Sequence, residues 1–84
     1  MDREQAIALA AKLMRMTETE AAGLCCQLKQ ENAWFFSVPE KGGDSLIVSD
    51  DGSVLYANSS VGFDDHVKAF RDGIRTPIEA FEES

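Results

Sequence analysis

Ala33-Trp34-Phe35-Phe36-Ser37-Val38, then, after six residues ending in Gly42-Gly43-Asp44, Ser45-Leu46-Ile47-Val48-Ser49-Asp50-Asp51-Gly52-Ser53-Val54-Leu55-Tyr56-Ala57-Asn58: this stretch decides the fold. It holds three short runs rich in aromatic and aliphatic residues, separated by glycine and aspartate. Such runs suit a pleated, half-buried surface, and Asp-Gly is turn chemistry that reverses a chain tightly. The reading is strand, loop, strand, tight turn, strand, over residues 33–38, 45–49 and 53–57. Side chains alternate along a strand, so Trp34, Phe36 and Val38 share one face and Phe35 and Ser37 the other. Leu46 and Val48 likewise oppose Ile47. Pro39 cannot donate to a ladder and ends its strand, and Lys41-Gly42-Gly43-Asp44 reads as a loop.

Outward from the sheet the period changes. Over residues 4–16, Ala6, Leu9, Ala10 and Leu13 recur at helical spacing behind Asp2, a suitable N-cap. Residues 17–20 read as a polar link, although Thr17 and Glu20 stand at the spacing of a capping box. A first strand is expected over residues 23–29, with a helix over the same alanine-rich segment as the alternative. Beyond the loosening residues Ser59, Ser60 and Gly62, a helix over 64–72 carries Phe63, Val67, Phe70 and Ile74 at helical spacing, with Gly73 as its stop. Thr76-Pro77-Ile78-Glu79 then has the cap, proline and glutamate of a short terminal turn bearing Ile78 and Phe81.

The expected fold is therefore α+β in a single domain over residues 1–84: a four-stranded antiparallel sheet with an N-terminal and a C-terminal helix packed on one face, plus a short terminal helical turn. Trp34, Phe36, Leu46, Val48, Leu13, Val67 and Phe70 are the expected core. A chain of this length hides roughly 60–65% of its unfolded surface, which leaves a thin stability margin.

Composition narrows the function classes. No apolar run approaches the roughly 20 residues a membrane span needs. The opening residues are acidic and amphipathic rather than basic and then apolar, as a secretory signal would be, so a cytoplasmic location is expected. Net charge is −7, and residues 43–84 carry −6 of it. Such a field repels nucleic acid and anionic membrane and favours a basic protein partner, or else serves solubility alone. Cys25 and Cys26 are adjacent, a spacing that disfavours a mutual disulfide, and both are expected as reduced thiols on opposite sides of a strand.

Little in the residues points to catalysis. His66 is the lone histidine; among Asp64 and Asp65 it reads as an exposed, ordinary imidazole. Asp44, Asp50 and Asp51 lack the alternating ligand pattern and closing glutamate of a calcium loop. Gly42-Gly43 lacks the lysine and helix of a phosphate cradle. No enzyme activity, metal or cofactor is expected. The candidates for partner contact are the acids at the hairpin tip, Asp50 and Asp51, those at the start of the second helix, Asp64 and Asp65, and two aromatics, Tyr56 and Trp34. Of these two, Tyr56 suits the surface through its hydroxyl, whereas Trp34 is either a core residue or an exposed anchor.

The order of elements, with Trp34-Phe35-Phe36, then the run from Leu46 to Val54, then Ser59-Ser60 leading into Phe63-Asp64-Asp65-His66-Val67, resembles the YrhB-like immunity proteins of bacterial polymorphic-toxin systems over roughly residues 1–72. That family commonly has a proline before the aliphatic strand, where this chain has Gly43-Asp44. The resemblance implies a protein that neutralises a toxin by direct binding. The alternative is a general interaction or chaperone-like module with no dedicated toxin partner.

Overall fold

In the computed structural model, which describes residues 1–38, 43–58 and 60–82, the chain runs α1 (Arg3–Met14), α2 (Glu18–Leu24), β1 (Cys25–Leu28), a 3-10 turn (Lys29–Glu31), β2 (Ala33–Ser37), β3 (Ser45–Ser49), β4 (Val54–Ala57), α3 (Phe63–Arg71) and α4 (Glu79–Glu82). The strands form one antiparallel meander in the order β1-β2-β3-β4, as the sequence predicts. The assignments of Pro39, Lys41-Gly42 and Ser59 lie outside the described residues.

Local chemistry sets each boundary. The Asp2 carboxylate accepts from the Gln5 N–H at 2.8 Å, and the Gln5 side-chain oxygen accepts from the Asp2 N–H at 3.0 Å, a reciprocal cap that starts α1. Residues 17–20 are not a link. Thr17 and Glu20 make a second reciprocal cap, with the Glu20 N–H donating to Thr17 Oγ1 at 3.1 Å, and α2 follows from it. The first strand accordingly begins at Cys25, two residues later than expected. At the hairpin, Gly52 alone takes a positive φ, +89°, while Asp50 and Asp51 do not. The Asp51 carboxylate accepts from the Ser53 N–H at 2.9 Å and from its hydroxyl at 2.6 Å, which fixes the turn from within. Gly73, also at +89°, stops α3.

The two helical layers lie on opposite faces of the sheet, not on one. Trp34, Phe36, Leu46, Val48 and Val54 meet Ala6, Ile7, Ala10 and Ala11 of α1 and Ala21 of α2. Leu28, Ala33, Ile47 and Leu55 meet Val67 and Phe70 of α3. The register explains it: Trp34 pairs with Val48 and Phe36 with Leu46, whereas Phe35 pairs with Ile47, and Ile47 with Leu55. Residues one apart point to opposite faces, and each face has apolar side chains to bury.

Six of the seven expected core residues are buried, and Leu13 is the exception. Small alanines let α1 approach the sheet along Ala6, Ile7, Ala10 and Ala11, which turns Leu13 to the rim of the cluster, half-buried. Phe63 and Ile74 are exposed; Phe63 lies at the open start of α3 and Ile74 beyond its end. Thr76 does not cap a helix. It bridges to the outer edge of β4, and Pro77 lies ahead of α4 rather than in its first position.

Candidate functional site

The four candidate acids are all exposed but do not form one patch. Asp50 and Asp51 sit at the β3–β4 tip, before β4, whereas Asp64 and Asp65 open α3, after β4 has run the length of the sheet away from that tip. The tip is rigid. Asp50 Oδ1 lies 3.2 Å from the Met1 ammonium, and the Asp50 N–H donates to Asn32 O at 3.0 Å. The Ser53 hydroxyl, aided by the Ser53 N–H and the Ser49 hydroxyl, holds the Asp51 carboxyl down at about 2.

The same tip is braced to the end of α3 through Arg75. Its Nε donates to Ser53 Oγ at 2.9 Å, and its NH1 donates to the carbonyls of Phe70 and Ile74 at 2.9 and 2.8 Å. The guanidinium also stacks 3.8 Å from the centre of the Phe70 ring. Beside it, Arg71 Nε donates to Glu31 Oε1 at 2.7 Å, tying α3 to the 3-10 turn.

The two aromatics part company. Trp34 is 7% exposed, wedged in the α1 layer, and offers no anchor to a partner. Tyr56 is 38% exposed and stands edge-on to Phe81 with ring centres 6.0 Å apart. Together they wall an open groove of about 470 Å³ between the end of α1 (Leu13, Met14, Arg15), Val38 and α4. Asp44 contributes a carboxylate to it. Partial burial, and then the hydrogen bond and charge of Asp44, push the Tyr56 hydroxyl above its ordinary range, so it remains a neutral donor and acceptor at neutral pH. Neither Phe81 nor Asp44 stood among the sequence candidates. They lie 37 residues apart in the chain, and no local pattern links them.

His66 reverses the sequence reading. It is 1% exposed, on the inner side of α3, with Nε2 2.9 Å from the Leu55 carbonyl oxygen and its ring edge-on to Phe35 at 5.8 Å. Burial lowers its pKa, partly offset by the Leu55 carbonyl. The signal lay in its place beside Val67 and four residues before Phe70, on the apolar stripe. Cys25 and Cys26 are unbridged, half-buried and exposed respectively, and burial raises the Cys25 thiol against the opposing charge of Arg3. Cys26 shares a face with His66, but the imidazole hydrogen-bonds the Leu55 carbonyl on β4, and the Phe35 ring, on the residue paired with Cys26, stands edge-on to it. Among the described residues no hydrogen bond joins a thiol to the imidazole.

Among the described residues no group of three or more His, Cys, Asp or Glu side chains is placed to hold a metal ion, and no helix is long and apolar enough to cross a membrane. Comparison with protein-family models, with curated proteins and with solved structures found no match for this chain.

Proposed function

We propose that this chain is a protein-binding module without catalysis of its own, an immunity protein that neutralises a cognate basic toxin by direct contact. The groove walled by Tyr56 and Phe81 carries this reading. A tyrosine with its ring against an apolar wall and its hydroxyl beside a carboxylate has the amphipathic character that interface anchors share. Interfaces concentrate their energy at such residues and use charge mainly to speed encounter, a role that Asp50, Asp51, Asp64 and Asp65 suit through exposure on fixed elements. The resemblance to YrhB-like immunity proteins supplies the toxin as the class of partner, and a toxin that attacks inside the producing cell would place the chain in the cytoplasm.

The test is co-expression in a bacterial host with the product of the adjacent gene. That product alone should arrest growth, and this chain should restore it and co-purify with it as a stable complex. Growth arrest that persists despite full expression of this chain, or restoration without a complex, overturns the reading.

A further inference from the structure

The two layers on the sheet differ in one chemical respect. The buried core of the α1 and α2 layer is apolar; the titratable side chains at its margin are the half-buried Cys25 thiol with Arg3 beside it and, in the groove, the exposed Tyr56 with Asp44. α3 buries three residues against the sheet, Val67, Phe70 and His66, and is tied at its margin by Arg71 to Glu31 and by Phe63 to Phe35. One of the three buried residues of α3 is thus a group that can take up a proton.

We propose that α3 is an acid-releasable cover, and that uptake of one proton by His66 detaches it from the sheet while α1, α2 and the four strands stay folded. The geometry gives that proton no welcome. Nε2 is engaged with the Leu55 carbonyl at 2.9 Å, so the neutral ring donates there and the added proton goes to Nδ1. A charge created at a residue 1% exposed then needs a counter-charge. β2, β3 and β4 present only Ala33, Phe35, Ser37, Ser45, Ile47, Ser49, Leu55 and Ala57 to this side, and β1 only Cys26 and Leu28. On α3 itself, Asp64, Asp65 and Lys68 are exposed. Glu31 is engaged by Arg71, and Arg75 reaches the carbonyls of Phe70 and Ile74 near Asp72, beyond the end of the helix. Among the described residues no carboxylate meets the imidazole.

Release is local because the chain is anchored on both sides of α3. β4 precedes it, and Thr76 follows it, bonded back to β4 through its N–H to Val54 O at 2.8 Å. Residues 60–75 can therefore open as one cooperative unit while the sheet and the other layer remain. Since the folded imidazole binds its proton less readily than an unfolded one, the hold is complete above the ordinary histidine range and is lost as pH falls through it. Uptake of one proton makes opening up to about tenfold more frequent per pH unit below about 6.5.

Residue-resolved amide exchange on the full chain between pH 7.5 and 4.5, corrected for intrinsic rates, tests this. Protection in α3 should fall with that slope while α1 and the β2–β3 ladder hold constant. His66→Gln should flatten the α3 profile, and Glu31→Gln should leave its slope intact. Loss of protection in α1 and α3 together, an α3 profile independent of pH, or a slope abolished by Glu31→Gln overturns the proposal. Should His66→Gln fail to fold, imidazole nitrogen chemical shifts of the wild type decide. A folded His66 that titrates at or above 6.5 overturns it, and one that titrates below, in step with α3 opening, supports it.

Discussion

Thr76 closes the outer edge of β4 by a two-point contact with Tyr56 and its strand: Thr76 Oγ1 accepts from the Tyr56 N–H at 2.9 Å while its own N–H donates to Val54 O at 2.8 Å. An unpaired strand edge invites pairing with other chains, so this residue shields one side of the sheet. Thr76→Val keeps the shape and removes the acceptor. It should cost about 1 kcal/mol, at the low end for an orphaned N–H because Tyr56 is near water. Thr76→Ser should cost less. Equilibrium denaturation of both variants checks the order, and equal stabilities would show that the hydroxyl contributes nothing.

Phe36 is fully buried between α1 and the sheet, and Phe63 is half-exposed with its ring edge-on to Phe35 at 4.9 Å. Phe36→Ala should cost on the order of 3–5 kcal/mol, a large share of a small domain's stability. Phe63→Ala should cost about 1 kcal/mol or less. Comparable losses in a denaturant titration would contradict the assignment of faces.

These faces show what the sequence makes legible. Period-two patterning located β2, β3 and β4 to within a residue, because alternation and turn chemistry are local signals. The number of covered faces was also written there, in Leu46-Ile47-Val48, three successive aliphatics that are all buried. An alternating strand has one wet face; an unbroken apolar run has none. α2 was obscured because Gly23 and the alternation that follows it outweighed a genuine cap at Thr17. Of the candidate site, Tyr56 was legible from its residue type. The groove was not, since Leu13, Asp44 and Phe81 converge only in the fold.

Gly23 and Gly52 should respond oppositely to alanine. Gly23 lies exposed in α2 with nothing within 4 Å of an added Cβ, so Gly23→Ala should stabilise by about 0.5–1 kcal/mol through helix propensity and a stiffer unfolded chain. Gly52 holds φ at +89°, and Gly52→Ala should destabilise by about 1–2 kcal/mol. Thermal unfolding of the two variants, one above and one below the wild type, is the check.

The Asp51 carboxyl, held down at about 2, should keep its charge through mild acid. Its folded value lies below the unfolded one, so its contribution is present above about pH 4 and is lost as pH falls towards 2. Carbon-detected titration of the carboxyl should show this midpoint. Ser53→Ala, which removes the leading hydroxyl partner, should move it up towards the ordinary carboxylate value. An unchanged midpoint would assign the shift to the backbone N–H instead.

Charge and anchor should separate in the kinetics of partner binding. Asp50 and Asp51 are exposed on a braced tip, at the other end of β4 from the Tyr56 groove, so under the proposed function they should act on encounter rather than on the close contact. Reversing both to lysine shifts the net charge by four units, from −7 to −3. The double variant should associate with the toxin proposed above as partner about tenfold more slowly at low salt, and the difference should shrink as screening shortens the range to about 8 Å at physiological ionic strength. Tyr56→Ala truncates the exposed aromatic wall. It should leave the association rate nearly unchanged and speed dissociation by at least about thirtyfold, the equivalent of a 2 kcal/mol hot spot. Surface kinetics at two salt concentrations with wild type, the double variant and Tyr56→Ala measure both effects. Equal association rates at every salt would reduce the acidic tip to solubility. An unchanged dissociation rate for Tyr56→Ala would move the contact off the groove, to the exposed start of α3 around Phe63, Asp64 and Asp65.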